Sequence, residues 1–427
     1  MPLDRSSTRA LWAWIPTLYL AEGLPYVVVM TVSVIMYKGL HVSNTDIALY
    51  TSWLYLPWVI KPLWSPVVDL LGTRRRWIWA TQLVVGGGLA GVALALPGPD
   101  FFRGTLAFLW LLAFNSATHD IAADGFYMLA ASEEQQALFI GVRTVFYRVA
   151  MIAGQGLLVM LAGAIQARTG DPRLGWTVAL GTLAALFGVF GLWHRWVLPR
   201  PASDHPGDAR RIPRFVREFL ATFRSFFRRP RIATLLLFLL LYRLGEAQLV
   251  KMTAPFLLDP RAQGGLGLTT SQVGVLYGAG VVALLLGGIL GGWVIARHGL
   301  KPWLWPMLLA IHLPDAAFIY LACAQPGSLL VVQLCVAVEQ FGYGFGFTAY
   351  LMYMIHIARG EHRTAHYAIC TGFMALGMMV PGMWSGWLAD HIGYRHFFIW
   401  VVVATVPSFL VALRLPLEPG FGKKSGG

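Results

Sequence analysis

The sequence predicts an all-α polytopic membrane protein with twelve transmembrane helices. Its 427 residues are 57% hydrophobic and only 12% charged, whereas soluble proteins average about 25% charged residues. Runs of roughly 20 apolar residues, the length that spans a bilayer as a helix, recur along the whole chain. They cover approximately residues 11–36, 46–67, 77–97, 105–131, 137–164, 175–197, 232–257, 271–296, 302–323, 328–357, 366–388 and 396–415.

The positive charge of the chain is concentrated in the links between these runs. The formal net charge is +13, which by itself could indicate nucleic-acid binding. With the N-terminus inside the cell, cytoplasmic segments hold about 22 Lys and Arg residues and outside loops about 6, as the positive-inside rule requires. We therefore expect both termini in the cytoplasm and no nucleic-acid partner. The N-terminus lacks the small-residue cleavage site of a signal peptide, so the first run should remain as a span.

One long connector, residues 194–231, divides the runs six and six and supplies ten arginines. Within it, Pro213–Arg229 places phenylalanines on one helical face and arginines on another. This pattern is typical of an amphipathic helix on the inner membrane surface, and a regulatory partner site is the alternative. We predict an N-terminal six-helix bundle at 1–197, a cytoplasmic linker at 198–231 and a C-terminal six-helix bundle at 232–427.

Two sequence motifs recur six spans apart. SPVVDLLGTRRR follows the second run, at residues 65–76, and GGWVIARHGLKP follows the eighth, at 291–302. The loops after the fifth and eleventh runs, residues 163–176 and 386–398, also agree in sequence. A parallel repeat of six plus six helices, related by an axis along the membrane normal, is the major facilitator arrangement. The repeat therefore predicts this fold, with a pseudo-twofold axis.

The first pair of repeated loops has the composition of a gate. Gly72 and Gly299 allow the short turns. Asp69 lies at a helix end near Arg74, and Arg297 occupies the corresponding basic region of the second repeat. An Asp and nearby arginines can latch neighbouring helices in one conformational state. A plain turn with cytoplasmic positive charge explains the arginines equally well.

Several stretches resemble the AmpG-type muropeptide permease family. They are GLP at 23–25, KPLWSPVVD at 61–69, RRRWIWATQ at 74–82, HDIAADGFYML at 119–129, YRVAMIAGQG at 147–156, GFGFTAYLMYM at 344–354 and TAHYAICTGFMALGMMVPGMWSGWLADHIGY at 364–394. The resemblance implies proton-driven import of large anhydromuropeptides across the bacterial inner membrane. The family is related to acetyl-CoA transporters and some siderophore permeases, which leaves those cargoes as alternatives. The major facilitator fold implies that spans 1, 4, 7 and 10 line a central cavity.

Each of those four spans carries ionisable residues near the middle of the bilayer, counted at about 1.5 Å of rise per residue. A charged side chain at that depth is costly unless it is paired or hydrated, so these residues are functional candidates. The residues at mid-depth are Glu22, Asp120, Arg243, Glu246 and Glu339.

Asp120 and Asp124 are four residues apart and share one face of span 4. Span 5 carries Arg143 at the depth of Asp124 and Arg148 at the depth of Asp120. The two Asp–Arg pairs are either permanent structural contacts or part of proton coupling. If an arginine changes partner between conformational states, the proton affinity of its Asp changes with it. The expected proton-coupling residues are Asp120, Asp124, Glu22, Arg143 and Arg148.

Span 7 contains an unusually polar stretch, LYRLGEAQLVK at 241–251. An Arg and a Lys that face a cavity suit an anionic cargo with carboxylates or phosphates. An internal ion pair of Arg243 with Glu22 or Glu246 is the alternative. In span 1, Pro25 should kink the helix beside Glu22. The expected substrate-binding residues are Glu22, Tyr26, Arg243, Glu246, Gln248, Lys251, Glu339 and Gln340.

Other polar or glycine-rich features have structural interpretations. His119 is expected to be a hydrogen-bonded core residue, with a proton relay as the alternative, and Asp315 is expected to make a structural polar contact. Glycines in YGFGF, residues 343–347, should permit close helix packing rather than bind phosphate. We expect three small buried hydrophobes at Cys323, Cys335 and Cys370.

The sequence lacks a Walker motif, a nucleophile elbow and metal-ligand spacing. We therefore expect no enzyme activity, no cofactor and no metal. The leading hypothesis is a monomeric secondary active transporter in the lipid bilayer that moves a small-molecule substrate with protons. The alternatives are import of a siderophore or an acyl-CoA-like anion, drug export, or a non-transporting sensor.

Overall fold

The computed structural model describes residues 8–206, 212–360, 362–418 and 420–423, apart from some side chains within these ranges. The helices of the first half are α1 (Thr8–Trp12), α2 (Ile15–Val27), α3 (Ser33–Gly39), α4 (Asn44–Trp53), α5 (Leu56–Leu71), α6 (Arg74–Ala95), α7 (Phe101–Ala130), α8 (Glu133–Met151), α9 (Val159–Thr169) and α10 (Pro172–Val197). Those that follow are α11 (Ile212–Phe227), α12 (Ile232–Leu241), α13 (Leu244–Leu258), α14 (Thr270–His298), α15 (Leu300–His312), α16 (Ala316–Ala324), α17 (Leu329–Ile357), α18 (Arg363–Val403) and α19 (Val406–Ala412).

All twelve predicted spans lie on helices, and the described residues contain no β-strand. Ten segments of the described chain are long and apolar enough to cross a membrane. One of them, Arg363–Ala412, holds the eleventh and twelfth predicted spans, which join at a bend where Gly393 has a φ of 74°. The second predicted span consists of α4 and α5. The predicted all-α membrane fold is therefore confirmed.

Helix starts and interruptions follow local sequence signals. Ser132 and Gln135 form a capping box that begins α8, and Thr269 and Gln272 form another that begins α14. Each box satisfies backbone N–H groups that a helix start leaves free. In the first span, Pro25 is followed by a π-helical segment at Val28–Val32, as expected where a proline removes a backbone hydrogen bond.

The described residues divide into two compact units. Unit 1 comprises Met1–Leu40 and Ile60–Phe215, and unit 2 comprises His41–Val59 and Val216–Gly427. The segment that contains α4 therefore packs with the second half of the chain, mainly against α18.

Unit 1 is built from paired long helices. α6 packs between α7 and α10, while α2 packs against α8. The core includes the fully buried side chains of Trp14, Phe126 and Phe139. This packing brings α2, α7 and α8, the helices with the predicted proton-coupling residues, into mutual contact.

Unit 2 is held by close contacts of α17 with α14 and α15. A Cβ on Gly344 would overlap the backbone of Leu284, and one on Gly342 would overlap the backbone of Ala310. The predicted role of these glycines in close helix packing is therefore confirmed. Of the cysteines, Cys370 is buried and Cys335 is half-buried. The expectation of burial was wrong for Cys323, whose position near the end of α16 leaves it exposed.

The connector contains α11, which matches the predicted helix to within two residues. The side chains of residues 212–216, 218 and 219, which include part of the predicted phenylalanine face, lie outside the described side chains. Phe226 is fully buried in the protein, with its ring centroid 5.5 Å from that of His366. This end of α11 therefore docks on unit 2.

Candidate functional site

Three acidic side chains meet inside unit 1. Glu22 comes from α2, and Asp120 and Asp124 come from successive turns of α7. One carboxylate oxygen of each lies within 4.8 Å of those of the other two. Three carboxylates this close repel one another unless cations or protons compensate them.

Two cations contact this acidic cluster. Lys61 of α5 forms an ion pair with Asp120. Arg143 of α8 places Nη2 2.5 Å from Oδ1 of Asp124. The Arg143 guanidinium also lies over the ring of Tyr19, 4.5 Å from its centroid, and the Tyr19 hydroxyl donates to Asp124 over 3.4 Å. We call these six residues, Tyr19, Glu22, Lys61, Asp120, Asp124 and Arg143, the acidic site.

Glu22 is the residue of this site without a cation of its own. It is 8% exposed, and its Oε2 atom is buried with no hydrogen-bond partner among the described residues. Glu22 lies close enough to Asp120 for a hydrogen bond, and such a bond between carboxyl groups requires a shared proton. The Asp124 side chain, by contrast, is 42% exposed. The site therefore joins a buried carboxyl to an accessible one.

The charges of the acidic site add up to one unmatched negative charge, because three carboxylates face two cations. One proton completes the balance, and a monovalent cation would do the same. A divalent metal would leave the site with an excess positive charge, so these residues fit such an ion poorly.

One of the two predicted Asp–Arg pairs is present and the other is wrong. Arg143 contacts Asp124 as expected, but Asp120 pairs with Lys61, and Arg148 instead directs Nη1 toward the sulfur of Met151 at 3.2 Å. Five helical residues separate the two arginines, which turns them about 140° apart around α8. The two arginines therefore cannot both point toward α7, although each lies at the depth of one of its aspartates.

Lys61 was missed by the sequence reasoning, although a signal for it existed. It lies inside the second apolar run, so the rule that selected the other intramembrane charges applies to it equally. His119, which adjoins Asp120 in sequence, makes a contact of 2.9 Å with Gln82. Gln82 in turn contacts His194 at 2.8 Å, so His119 belongs to a buried polar chain, as expected.

In unit 2, the polar stretch of span 7 lies where α12 ends and α13 begins. Arg243 donates to both carboxylate oxygens of Glu246, over 2.6 and 3.1 Å, and to the hydroxyl of Tyr343 over 2.8 Å. The Glu246 side chain is fully buried and that of Arg243 is 9% exposed. This is the internal pair that the sequence offered as the alternative to a cargo contact.

Lys251 and Gln248 lie on other faces of α13. Lys251 is 4% exposed and donates to the Thr51 hydroxyl over 2.9 Å. Its Nζ lies 5.6 Å from the centroid of the Tyr55 ring, and none of the ion pairs seen among the described residues includes it. Gln248 accepts hydrogen bonds from two tryptophan rings of α18, at Trp384 and Trp400.

Glu339 of α17 lines a small cavity together with Gln340, its neighbour in sequence.

Asp315 is fully buried between α15 and α16, and His312 Nδ1 lies 4.0 Å from its carboxylate. Tyr26 of α2 is half-buried in unit 1. The sequence therefore identified most of the buried charges but only some of their pairings.

The predicted gate residues occupy helix ends. The backbone N–H groups of Arg74 and Arg75 donate to the carboxylate of Asp204, over 2.8 and 3.0 Å. Gly299 turns into α15 with a φ of 85°, and the Arg297 guanidinium lies 5.4 Å from the centroid of Trp293. Gly72 precedes the Thr73 cap of α6. The side chain of Asp69 lies outside the described side chains.

A polar network that the sequence reasoning missed joins α4 to α18 within unit 2. Asn44 donates to Asp390 over 2.9 Å and to the Tyr394 hydroxyl over 3.0 Å. Thr45 donates to the same Asp390 through its backbone N–H and its hydroxyl, and Tyr394 donates to Asp259 over 2.5 Å. The α4 N-terminus thus receives a carboxylate, which its dipole favours.

Comparison with known proteins agrees with this architecture. The chain is 26% identical over 413 residues to the putative transporter AmpG 4 of Rickettsia felis, covering 93% of this chain and 94% of that protein. It is 25% identical over 402 residues to the anhydromuropeptide permease of Escherichia coli, covering 92% of this chain and 77% of that protein. The crystal structure of the nucleoside transporter NupG has the same fold, with a TM-score of 0.68 at 14% identity, covering 97% of this chain and 100% of that one.

The match to the Major Facilitator Superfamily spans residues 17–260 and 247–427, which together cover nearly all of the sequence. The ten apolar helical segments, the interrupted spans 1 and 7 and the buried charges of both units are features of a multi-pass transporter of small molecules. The chain is therefore a membrane protein that belongs to the Major Facilitator Superfamily, with AmpG-type transporters among its relatives.

Proposed function

We propose that this chain is a proton-coupled importer of anhydromuropeptide-like cargo that works by alternating access. The observation that carries the coupling is the acidic site, where three carboxylates face two cations. One proton completes the charge balance, and a transport cycle that loads and releases that proton can draw on the proton gradient. Glu22 and Asp120 hold the proton between them, while Asp124 and Arg143 lie toward the accessible side.

Lys61 gives this site a means of switching. While Lys61 contacts Asp120, that carboxylate remains ionised, because an adjacent cation favours the charged form. If a conformational change draws Lys61 away, three carboxylates face one cation, and Asp120 takes up a further proton in place of the lost ammonium; the return of Lys61 expels that proton. Binding and release of the proton then follow the conformation of α5 and α7.

The cargo assignment is supported by the relatives. The chain is 25% identical to an anhydromuropeptide permease over most of its length, and several further relatives are AmpG-type transporters. We further propose that the protein is a monomer in the bacterial inner membrane, and its charge distribution supports the placement of both termini in the cytoplasm. The loops at Gly72 and Gly299, with Asp69, Arg74 and Arg297, are the proposed cytoplasmic gate.

Vesicles that contain the purified protein should take up a radiolabelled anhydromuropeptide when a proton gradient is imposed across the membrane. A protonophore should reduce the initial rate by about tenfold or more, because the acidic site requires proton loading in each cycle. Protein-free vesicles, and vesicles with a matched potassium diffusion potential, provide the controls. Uptake that is unaffected by the protonophore would contradict proton coupling. Proton-driven uptake of a siderophore or acetyl-CoA instead would contradict the proposed cargo and still support proton coupling.

Lys251 is the residue that we assign to an anionic group of the cargo. It is buried, and its observed contacts are the neutral Thr51 hydroxyl and the face of the Tyr55 ring. A buried ammonium without an anion is costly, and a cargo carboxylate would remove that cost. Arg243 is less suited to this role because Glu246 already occupies its guanidinium.

Replacing Lys251 with Met should weaken cargo binding by about tenfold, or about 1.4 kcal/mol. Met keeps the apolar stem and removes the charge, so the helix should still pack. Binding would be measured by tryptophan fluorescence with the cargo and with its carboxamide analogue. The variant should bind both equally, whereas the wild type prefers the carboxylate. A preference that survives in Lys251→Met would reject the assignment, and Lys301→Met is the control.

A further inference from the structure

A cavity of about 40 Å³ lies among α13, α14 and α17 in unit 2. Its volume is sufficient for one small polar group, since a single water needs roughly 10–15 Å³ by this measure. The lining residues are Val250, Thr253, Tyr277, Val336, Glu339 and Gln340. We call this cavity the Glu339 pocket.

No cation lies beside the Glu339 carboxylate in the part of the chain that the structure describes. Glu339 is 3% exposed, and its observed hydrogen bond comes from Gln340 Nε2 at 2.9 Å. Among the described residues, the recorded ion pairs do not include Glu339. A carboxylate buried to this extent favours a positively charged partner.

The polar atoms of the pocket are predominantly hydrogen-bond acceptors. Gln340 donates one N–H of its amide to Glu339, and its amide oxygen remains an acceptor for a ligand. Thr253 donates its hydroxyl proton to the Leu249 carbonyl over 2.8 Å, which leaves the lone pairs of its oxygen. The Tyr277 side chain also lines the pocket, and an aromatic ring face attracts cations. Such a pocket recognises a donor with several N–H groups.

A second buried carboxyl group lies near the pocket. Glu246 is neutralised by Arg243, but Asp315 is 1% exposed and both of its carboxylate oxygens are buried without a hydrogen-bond partner among the described residues. Asp315 and Glu339 are close enough to repel each other. His312, which is 2% exposed, lies with Nδ1 4.0 Å from the Asp315 carboxylate and with Nε2 in contact with the Ser408 hydroxyl. A cation beside Glu339 would offset the repulsion between the two carboxyl groups when both are ionised.

We propose that the Glu339 pocket binds a primary ammonium group of the cargo, such as the side-chain amine of a diamino acid in a peptide. Its three N–H bonds match three acceptors, namely the Glu339 carboxylate, the Gln340 amide oxygen and the Thr253 hydroxyl oxygen. The Tyr277 side chain completes the lining. This inference rests on the proposed function, because it specifies a charged group on the transported molecule.

The test uses two cargo molecules that differ at one nitrogen. The first is an anhydromuropeptide whose peptide carries a diamino acid with a free side-chain amine, and the second is the same compound acetylated at that amine. Binding of each to the purified full chain is measured by titration calorimetry. We expect the wild type to bind the free amine about tenfold more tightly. Glu339→Gln should reduce that ratio to within about twofold without changing the affinity for the acetylated compound.

Two further variants separate binding from folding. Glu339→Asp keeps the charge and should retain part of the preference for the amine. Glu134→Gln removes an exposed carboxylate from the start of α8 and should leave the ratio at its wild-type value. Thermal unfolding of each variant establishes that the comparison is made between folded proteins.

The outcomes distinguish this subsite from the proposed transport function. A tenfold preference that persists in Glu339→Gln, or equal binding of both compounds by the wild type, overturns the ammonium subsite even if uptake is proton-driven. The expected ratios together with uptake that ignores the proton gradient overturn proton coupling and support the subsite. Failure of the wild type to bind either compound overturns both the subsite and the cargo assignment.

Discussion

Asp120→Asn should abolish gradient-driven accumulation of cargo, with a loss of about 100-fold or more in initial rate, equivalent to roughly 2.7 kcal/mol. Asn cannot carry a proton through the cycle, and it leaves Lys61 without its carboxylate partner. Exchange of labelled for unlabelled cargo across a membrane without a gradient should persist. The neutral amide resembles a protonated carboxyl group. Exchange of cargo does not require that group to lose its proton, so exchange should continue in the variant.

Two related variants sharpen this test. Lys61→Met combined with Asp120→Asn should restore stability lost by the single variant, since a lone buried cation is removed, but should not restore accumulation. Asp100→Asn changes an exposed carboxylate at the start of α7 and serves as the control. Wild-type accumulation with unchanged pH dependence in Asp120→Asn, and likewise in Asp124→Asn, would refute the coupling role of the acidic site.

Arg243→Ala should cause the largest loss of stability. Removing one partner of a buried ion pair costs about 3–5 kcal/mol, because the remaining charge is left uncompensated. Glu246 is fully buried, and in wild type both of its oxygens receive hydrogen bonds from Arg243. Unfolding in detergent, followed by circular dichroism, would measure the change in free energy.

The double variant Arg243→Ala/Glu246→Ala decides whether that loss comes from the ion pair. It should recover most of the stability, since neither charge is then left unpaired. Arg395→Ala, at an exposed position of unit 2, should change stability by less than about 0.5 kcal/mol. If the single and double variants are equally unstable, the stabilising contribution of Arg243 lies in its other contacts, such as the one with Tyr343.

Lys61 and Arg148 show that the sequence predicts the depth of a charged residue but not its partner. Apolar runs place a residue at a depth along a helix, because the rise per residue is fixed. They do not show which neighbouring helix the side chain faces. Arg148 has the right depth for Asp120 but turns to Met151. Lys61, which lies on α5 rather than on α8, pairs with Asp120 instead.

The polar network of Asn44, Thr45 and Asp390 likewise depends on the folded chain. In sequence, about 345 residues separate these partners, and no local pattern records their contact. The segment that carries Asn44 packs with unit 2, which depends on the shape of α18. Gly386 of α18 lies against the backbone of Asn44, where any larger side chain would collide. Such complementarity exists only in the folded chain.

The sequence by itself determined that this is an all-α, multi-pass membrane protein with charged residues inside its apolar helices. The length of an apolar run and the charge of the loops beside it can be read from the local sequence. Because an unpaired backbone group in lipid is costly, a long apolar run must form a membrane-spanning helix. The tertiary structure alone decided which buried charges pair. In the folded chain, Glu22 lies beside Asp120 and Asp124, and Lys61 pairs with Asp120. Arg243 pairs with Glu246, and among the described residues no cation contacts Glu339. Pairing depends on helix rotation and close packing, which arise from contacts between distant parts of the chain.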